Sequence, residues 1–261
     1  MNRFIQIFFA VAACIFCESE LRAQVFDFGA GYAAGIALGE MGETMDPAHA
    51  FHLEGSVKFD RIPFSFGLSV TAGRYDRHRS DIDFELEENF FIRAPLIVNH
   101  RLTLLSVPMK YDLTPPSAFT PYLSLRASLG MLSSYAQVRD PDVSQGAEGI
   151  VNIWEESLHR SSTFVLSPGA GVRFDIADVL RSIRREKLYI DAEVNWHLGG
   201  RVSYAFSERQ TERGSGTVDP EENGFELIDH GYHRTEKFRS QLSMLGLRIG
   251  VMYRFDVSTA R

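Results

Sequence analysis

Along most of this chain apolar side chains recur at every second position, in eight separate segments, with polar or very small residues between them. A β-strand turns successive side chains to opposite faces, so each segment reads as a strand with one greasy face and one polar or nearly bare face. The segment 245–255 is the clearest. Leu245, Leu247, Ile249, Val251, Tyr253 and Phe255 alternate there with Gly246, Arg248, Gly250 and Arg254. The others run over 25–39, 50–60, 64–75, 102–113, 121–135, 164–176 and 188–198, as in Phe26, Phe28, Ala30 and Tyr32 against Asp27, Gly29 and Gly31. One such segment would also suit a soluble sandwich. Eight in succession suit a barrel that turns its apolar face to lipid and its polar face to a lumen. The expected fold is all-β, an eight-stranded antiparallel up-and-down transmembrane β-barrel preceded by a cleaved signal peptide.

The spacing of the segments gives a second, independent indication. Connections at 40–49, 76–101, 136–162 and 199–239 are long, whereas 61–63 and 114–120 are short and 177–187 is intermediate. Long outer loops on one rim and short periplasmic turns on the other are the pattern of outer-membrane barrels, and an even strand number returns both chain ends to the periplasmic rim. Pro115-Pro116 and Arg61-Ile62-Pro63 are turn chemistry. The basic segment 177–187 reads as a solvated turn, with a short helix as the alternative.

The chain starts with Met1, Asn2 and Arg3, continues with an apolar run over 4–16 broken only by Gln6, and reaches Ala23 through a polar tract. That is a signal peptide, too short to span a bilayer as a helix, with cleavage expected after Ala23. The expected division is 1–23 signal peptide and 24–261 barrel domain. Val11-Ala12-Ala13-Cys14 leaves open a lipoprotein signal with lipid on Cys14. Cleavage after Ala23 would remove Cys14 and Cys17, and with them disulfide and thiolate chemistry. The net charge of −7 argues against nucleic acid as a partner. No cofactor, metal site or catalytic set is expected, and the chain reads as a monomer in contact with outer-membrane lipid and lipopolysaccharide.

The inferred inward faces carry Asp27, Glu54, Asp175, Asp191 and Glu193 beside Lys58, Lys110, Arg126, Arg173, Arg248 and Arg254. Eight strands enclose a space that side chains can fill, and unpaired charges in it would be costly to desolvate. Arg173, Asp191, Glu193 and Arg248 are therefore expected to form a structural charge network that closes the lumen. A gated ion path is the functional alternative.

Several short motifs carry a resemblance: Leu105-Ser106-Val107-Pro108-Met109-Lys110-Tyr111, Pro121-Tyr122-Leu123-Ser124-Leu125, Gly169-Ala170-Gly171-Val172-Arg173-Phe174, and the closing Tyr253-Arg254-Phe255. With them the chain resembles the outer-membrane β-barrel family common in the Bacteroidetes, similar in architecture to the OmpA and OmpX barrels. The resemblance implies insertion by the outer-membrane assembly machinery, which recognises a last strand ending in an aromatic residue. Tyr253 and Phe255 would be that signal, although Asp256 to Arg261 follow them. It implies no shared catalytic residues.

Three function classes follow. A structural or surface-interaction barrel would meet an extracellular ligand through its long loops, including the acidic and aromatic tracts 81–91 and 219–226, where carboxylates could also take up divalent cations. A lipid-modifying enzyme of the lipid A deacylase type would need Glu193, His197 and Ser203 as acid, base and nucleophile, with His159 beside Ser161 and Ser162 as a weaker set. A small pore, or a transport or secretion accessory, is the third.

Overall fold

The computed structural model describes residues 23–59, 62–87, 90–115, 117–139, 152–176, 187–207, 226–229 and 234–256. In chain order the elements are β1 (Ala23–Ala37), α1 (Glu40–Thr44), β2 (Ala48–Phe59), β3 (Phe64–Glu87), β4 (Phe90–Asp112), β5 (Phe119–Arg139), β6 (Asn152–Asp175), β7 (Lys187–Ser207), β8 (Glu226–Asp229) and β9 (Arg234–Asp256). Antiparallel pairing runs from β1 through β7 to β9, and β9 pairs back onto β1, so eight long strands close into a ring. The four-residue β8 adds a short edge to the far end of β9. The segment 1–22, within the expected signal peptide, most of 177–187 and the tract 219–225 lie outside the described residues.

The outside of the ring is built for hydrocarbon. Leu68 is 65% exposed and Phe164 64%, and Phe28, Phe51, Leu105, Leu123, Trp196, Ile249 and Phe255 are exposed with them. On β1 this belt runs from Phe26 to Ile36, a rise of ten residues. At about 3.3 Å per residue and a tilt of about 40° that spans about 25 Å, the height of the apolar band of an outer-membrane barrel. Aromatic side chains crowd the rim where the chain ends lie, with Phe26 opposite Phe255, Phe64 opposite Tyr111 and Phe119 opposite Phe174. The fold is that of an eight-stranded outer-membrane β-barrel.

The connection expected at 76–101 is strand over most of its length, and those expected at 136–162 and 199–239 are strand where they are described. β3 and β4 continue as a hairpin to Glu87 and Phe90, β5 and β6 run on to Arg139 and Asn152, and β7 and β9 meet as far as Ser207 and Thr235. The cause lies in the residues: Ser80, Ile82 and Phe84 alternate with Asp81 and Asp83, so the extension keeps a two-faced pattern of its own. Outside the belt, the inward faces close on apolar side chains. Leu102, Leu104, Leu132, Val165, Val202, Tyr204, Leu242 and Met244 form one cluster with Met41 and Met45, and Phe84, Leu96, Val98, Ala136 and Val138 form a second farther out on β3, β4 and β5.

Residues 40–49 also differ from a plain loop. Gly39, at φ 63°, turns the chain into α1, which drops Met41 into the apolar cluster. The Thr44 hydroxyl then lies 2.8 Å from the Tyr204 hydroxyl. Between β6 and β7 the ladder stops at Val165 and Gly199. Side chains bridge the gap above it, because the Gly200 amide donates to the Thr163 hydroxyl at 3.1 Å and the Ser203 amide to the Ser161 hydroxyl at 3.2 Å.

Candidate functional site

The lumen is where this chain concentrates its buried polar side chains, and they fall into levels along the barrel. At the rim of the chain ends, Arg254 grips Asp27 with two bonds, Nε to Oδ1 at 2.6 Å and Nη2 to Oδ2 at 2.8 Å. Beside it Asp112 accepts from Lys58 at 2.5 Å and from Arg173. Bidentate guanidinium–carboxylate pairs of this kind are strong and geometrically specific.

At mid-height three carboxylates, Glu54, Asp191 and Glu193, meet three cations, Lys110, Arg126 and Arg248, all of them buried. Arg126 donates to both oxygens of Glu193, at 3.0 Å from Nε and 2.6 Å from Nη2, and to Glu54 at 2.9 Å. Arg248 reaches Glu54 at 2.8 Å, Asp191 at 2.7 Å and Glu193. Lys110 lies 2.5 Å from Glu54 and 3.2 Å from Asp191. Tyr122 donates to Asp191 at 2.6 Å and to Glu193 at 3.1 Å, and Ser124 donates to Glu193 at 2.7 Å. Charge is balanced, and each carboxylate has several donors, the condition under which buried ions are tolerated.

Above this cluster a cavity of about 40 Å³ is lined by His52, Thr71, Ser106, Asn195 and His197. It has room for a few water molecules and no larger ligand. His52 pairs with the Thr71 hydroxyl at 2.7 Å, and His197 with the Ser167 hydroxyl at 2.7 Å. The apolar cluster around Met41 closes the lumen beyond it.

Asp191, Glu193 and Arg248 thus share one cluster. Arg173 does not reach it, although it sits opposite Asp191 in the β6–β7 register. The Tyr122 ring, 5.1 Å from the Arg173 guanidinium, stands beside it, and the Tyr122 hydroxyl takes Asp191. Arg173 turns instead to Asp112, with Asp27 at 3.8 Å. Tyr122, Ser124, Asp112 and His52 were not singled out from the sequence, although each shares its strand parity with a recognised inward charge: Tyr122 and Ser124 with Arg126, Asp112 with Lys110, His52 with Glu54.

The set Glu193, His197 and Ser203 is not assembled. Glu193 is held by Arg126 and Arg248, His197 by Ser167, and the Ser203 carbonyl lies 3.0 Å from His159 Nε2. Ser161 is engaged with the Ser203 amide, and Ser162 is exposed. The acidic tract after residue 80 is strand, with Asp83 opposite Arg93. Among the described residues no group of three or more His, Cys, Asp or Glu could hold a metal ion. Tyr253 and Phe255 lie on the outer face of β9 with their rings edge to face at 4.4 Å.

No protein-family model matches the chain, and no curated protein matches it. Among solved structures, Neisserial surface protein A is 14% identical, with 88% of this chain and 96% of that chain covered and a TM-score of 0.41. A major outer membrane protein from Thermus thermophilus is 14% identical, over 90% of this chain and 100% of that chain, with a TM-score of 0.44. Ail, the attachment invasion locus protein of Yersinia pestis, is 13% identical over 90% and 100% with a TM-score of 0.37, in a structure with the heparin analogue sucrose octasulfate.

Proposed function

We propose that this protein is a monomeric barrel of the outer membrane that acts as a structural or surface-interaction protein, through the strand extensions that stand outside the bilayer, and not as an enzyme or a pore. The closed lumen carries the reading. Ion pairs at two levels, followed by an apolar layer capped by Met41, leave a cavity for a few waters where a channel would need a continuous polar path. In this reading Arg173, Asp191, Glu193 and Arg248 are structural. The first 23 residues direct export, and Tyr253 and Phe255 serve the assembly machinery as the end of the closing strand.

A barrel with this interior resists detergent until heated and changes its gel migration on heating. Fractionation of whole cells combined with that gel, and single-channel recording on the purified protein, test the proposal together. Heat-dependent migration in the outer-membrane fraction and no unitary conductance are the expected results. Recovery in the soluble periplasmic fraction, or stable ohmic steps, would overturn it.

A further inference from the structure

Just beyond the apolar belt, on the rim away from the chain ends, one row of directly opposed residues crosses five strands. His49 on β2 faces Arg74 on β3, Arg74 faces Arg101 on β4, Arg101 faces Ser133 on β5, and Ser133 faces Arg160 on β6. His49 and the three arginines are exposed. At about 4.8 Å between strands, the three arginine stems fall within about 15 Å of one another.

Two features set this row apart from a scatter of surface charge. Like charges directly opposite on neighbouring strands repel, yet Arg74 and Arg101 occupy such a pair, and no carboxylate among the described residues pairs with either of them or with Arg160. The Arg101 guanidinium lies over the Tyr135 ring at 4.4 Å, and Arg160 Nη2 points towards the Met131 sulfur at 3.9 Å, down the wall towards the belt. The nearest outward carboxylates on β3, Asp81 and Asp83, sit farther out, beginning about 23 Å along the strand from Arg74.

The second feature is height. Arg74, Arg101, Ser133 and Arg160 each stand four residues beyond the exposed apolar residue of their own strand: Val70, Leu105, Leu129 and Phe164 respectively. Four tilted strand residues rise about 10 Å, which brings a snorkelling arginine within reach of the headgroup layer and leaves it short of bulk solvent. Among the described residues none of these three guanidinium groups has a carboxylate partner, in a chain of net charge −7.

We propose that this row docks the phosphate groups of a phosphorylated glycolipid in the outer leaflet, with Arg74, Arg101 and Arg160 as the phosphate-binding residues. Arginine suits the task because its planar fork pairs two donors with two phosphate oxygens. The anion would also remove the repulsion between Arg74 and Arg101. This rests on the barrel spanning an outer membrane.

The test uses the full chain folded in zwitterionic micelles, with folding read from the heat-dependent gel shift and binding of diphosphoryl lipid A read by native mass spectrometry. Phosphate-free lipid A and inorganic phosphate serve as controls. Wild type is expected to retain diphosphoryl lipid A in a salt-sensitive manner. The triple variant Arg74→Gln, Arg101→Gln, Arg160→Gln should bind it about a hundredfold more weakly, taking the attraction of each surface arginine for anionic lipid as additive. Arg93→Gln, opposite Asp83 and away from the row, should bind as wild type does. Equal retention of phosphate-free lipid A, unchanged binding by the triple variant, or full competition by inorganic phosphate would overturn the proposal. A chain without a heat-dependent shift would overturn the barrel reading as well, whereas a folded barrel indifferent to the glycolipid overturns this inference alone.

Discussion

Arg126→Met removes the residue that ties the mid-lumen cluster together. Its side chain makes three bonds to Glu193 and Glu54 at 2.6 to 3.0 Å and a fourth to the Ser69 hydroxyl at 3.2 Å. Three carboxylates would then face two cations, and methionine fills most of the volume without replacing a donor. Glu54 keeps Lys110 and Arg248, and Glu193 keeps Arg248, Tyr122 and Ser124, so neither is stripped bare. Breaking a buried pair by removing one partner costs about 3–5 kcal/mol. With a urea slope of about 2 kcal/mol per molar, the unfolding midpoint should fall by about 2 M. The double variant Arg126→Met, Glu193→Gln restores the charge balance and should recover most of that loss. Urea unfolding from lipid vesicles, followed by the fluorescence of Trp154 and Trp196, measures both. If the single variant loses less than about 1 kcal/mol and the double variant recovers nothing, the ions are effectively solvated and the lumen is not a sealed plug.

Gly171 lies under the Tyr122 ring, where an added Cβ would sit 2.4 Å from its Cζ and hydroxyl. Gly171→Ala should push Tyr122 off Asp191 and Glu193 and lower stability by about 1–3 kcal/mol, and a urea midpoint equal to wild type would show a looser lumen. Met41 is fully buried in the apolar layer, so Met41→Ala should lower stability by about 2–5 kcal/mol in the same assay. Conductance should stay absent in Met41→Ala because the ion-pair levels remain below the cavity, and channel activity there would place the seal in the apolar layer alone. Phe255→Ala removes an exposed side chain from the outer wall, so refolding into vesicles should proceed as in wild type while assembly in cells is impaired. Equal loss in both settings would make Phe255 a stability residue instead of a signal.

The alternation of side chains was legible because it is local. Each strand carries its own inside and outside, so the belt residues and the inward charges could be assigned from parity alone. The strand extensions were hidden by composition. Residues 76–87 are rich in charge and read as a loop, and only the partner strand that supplies their hydrogen bonds keeps them extended. The triad reading failed for a related reason. The direction of Ser203 depends on the irregularity between Leu198 and Arg201 in the β7–β9 register and on the side-chain bridges from β6.

By itself, then, the sequence determined which residues face lipid and which face the lumen, and that eight such strands needed to close on one another. Only the tertiary structure decided which charges meet. The stagger between strands in a closed barrel brings residues of distant strands to one height. That stagger placed Glu54 of β2 between Lys110, Arg126 and Arg248, sent Arg173 to Asp112, and drew Arg74, Arg101 and Arg160 into a single row above the belt.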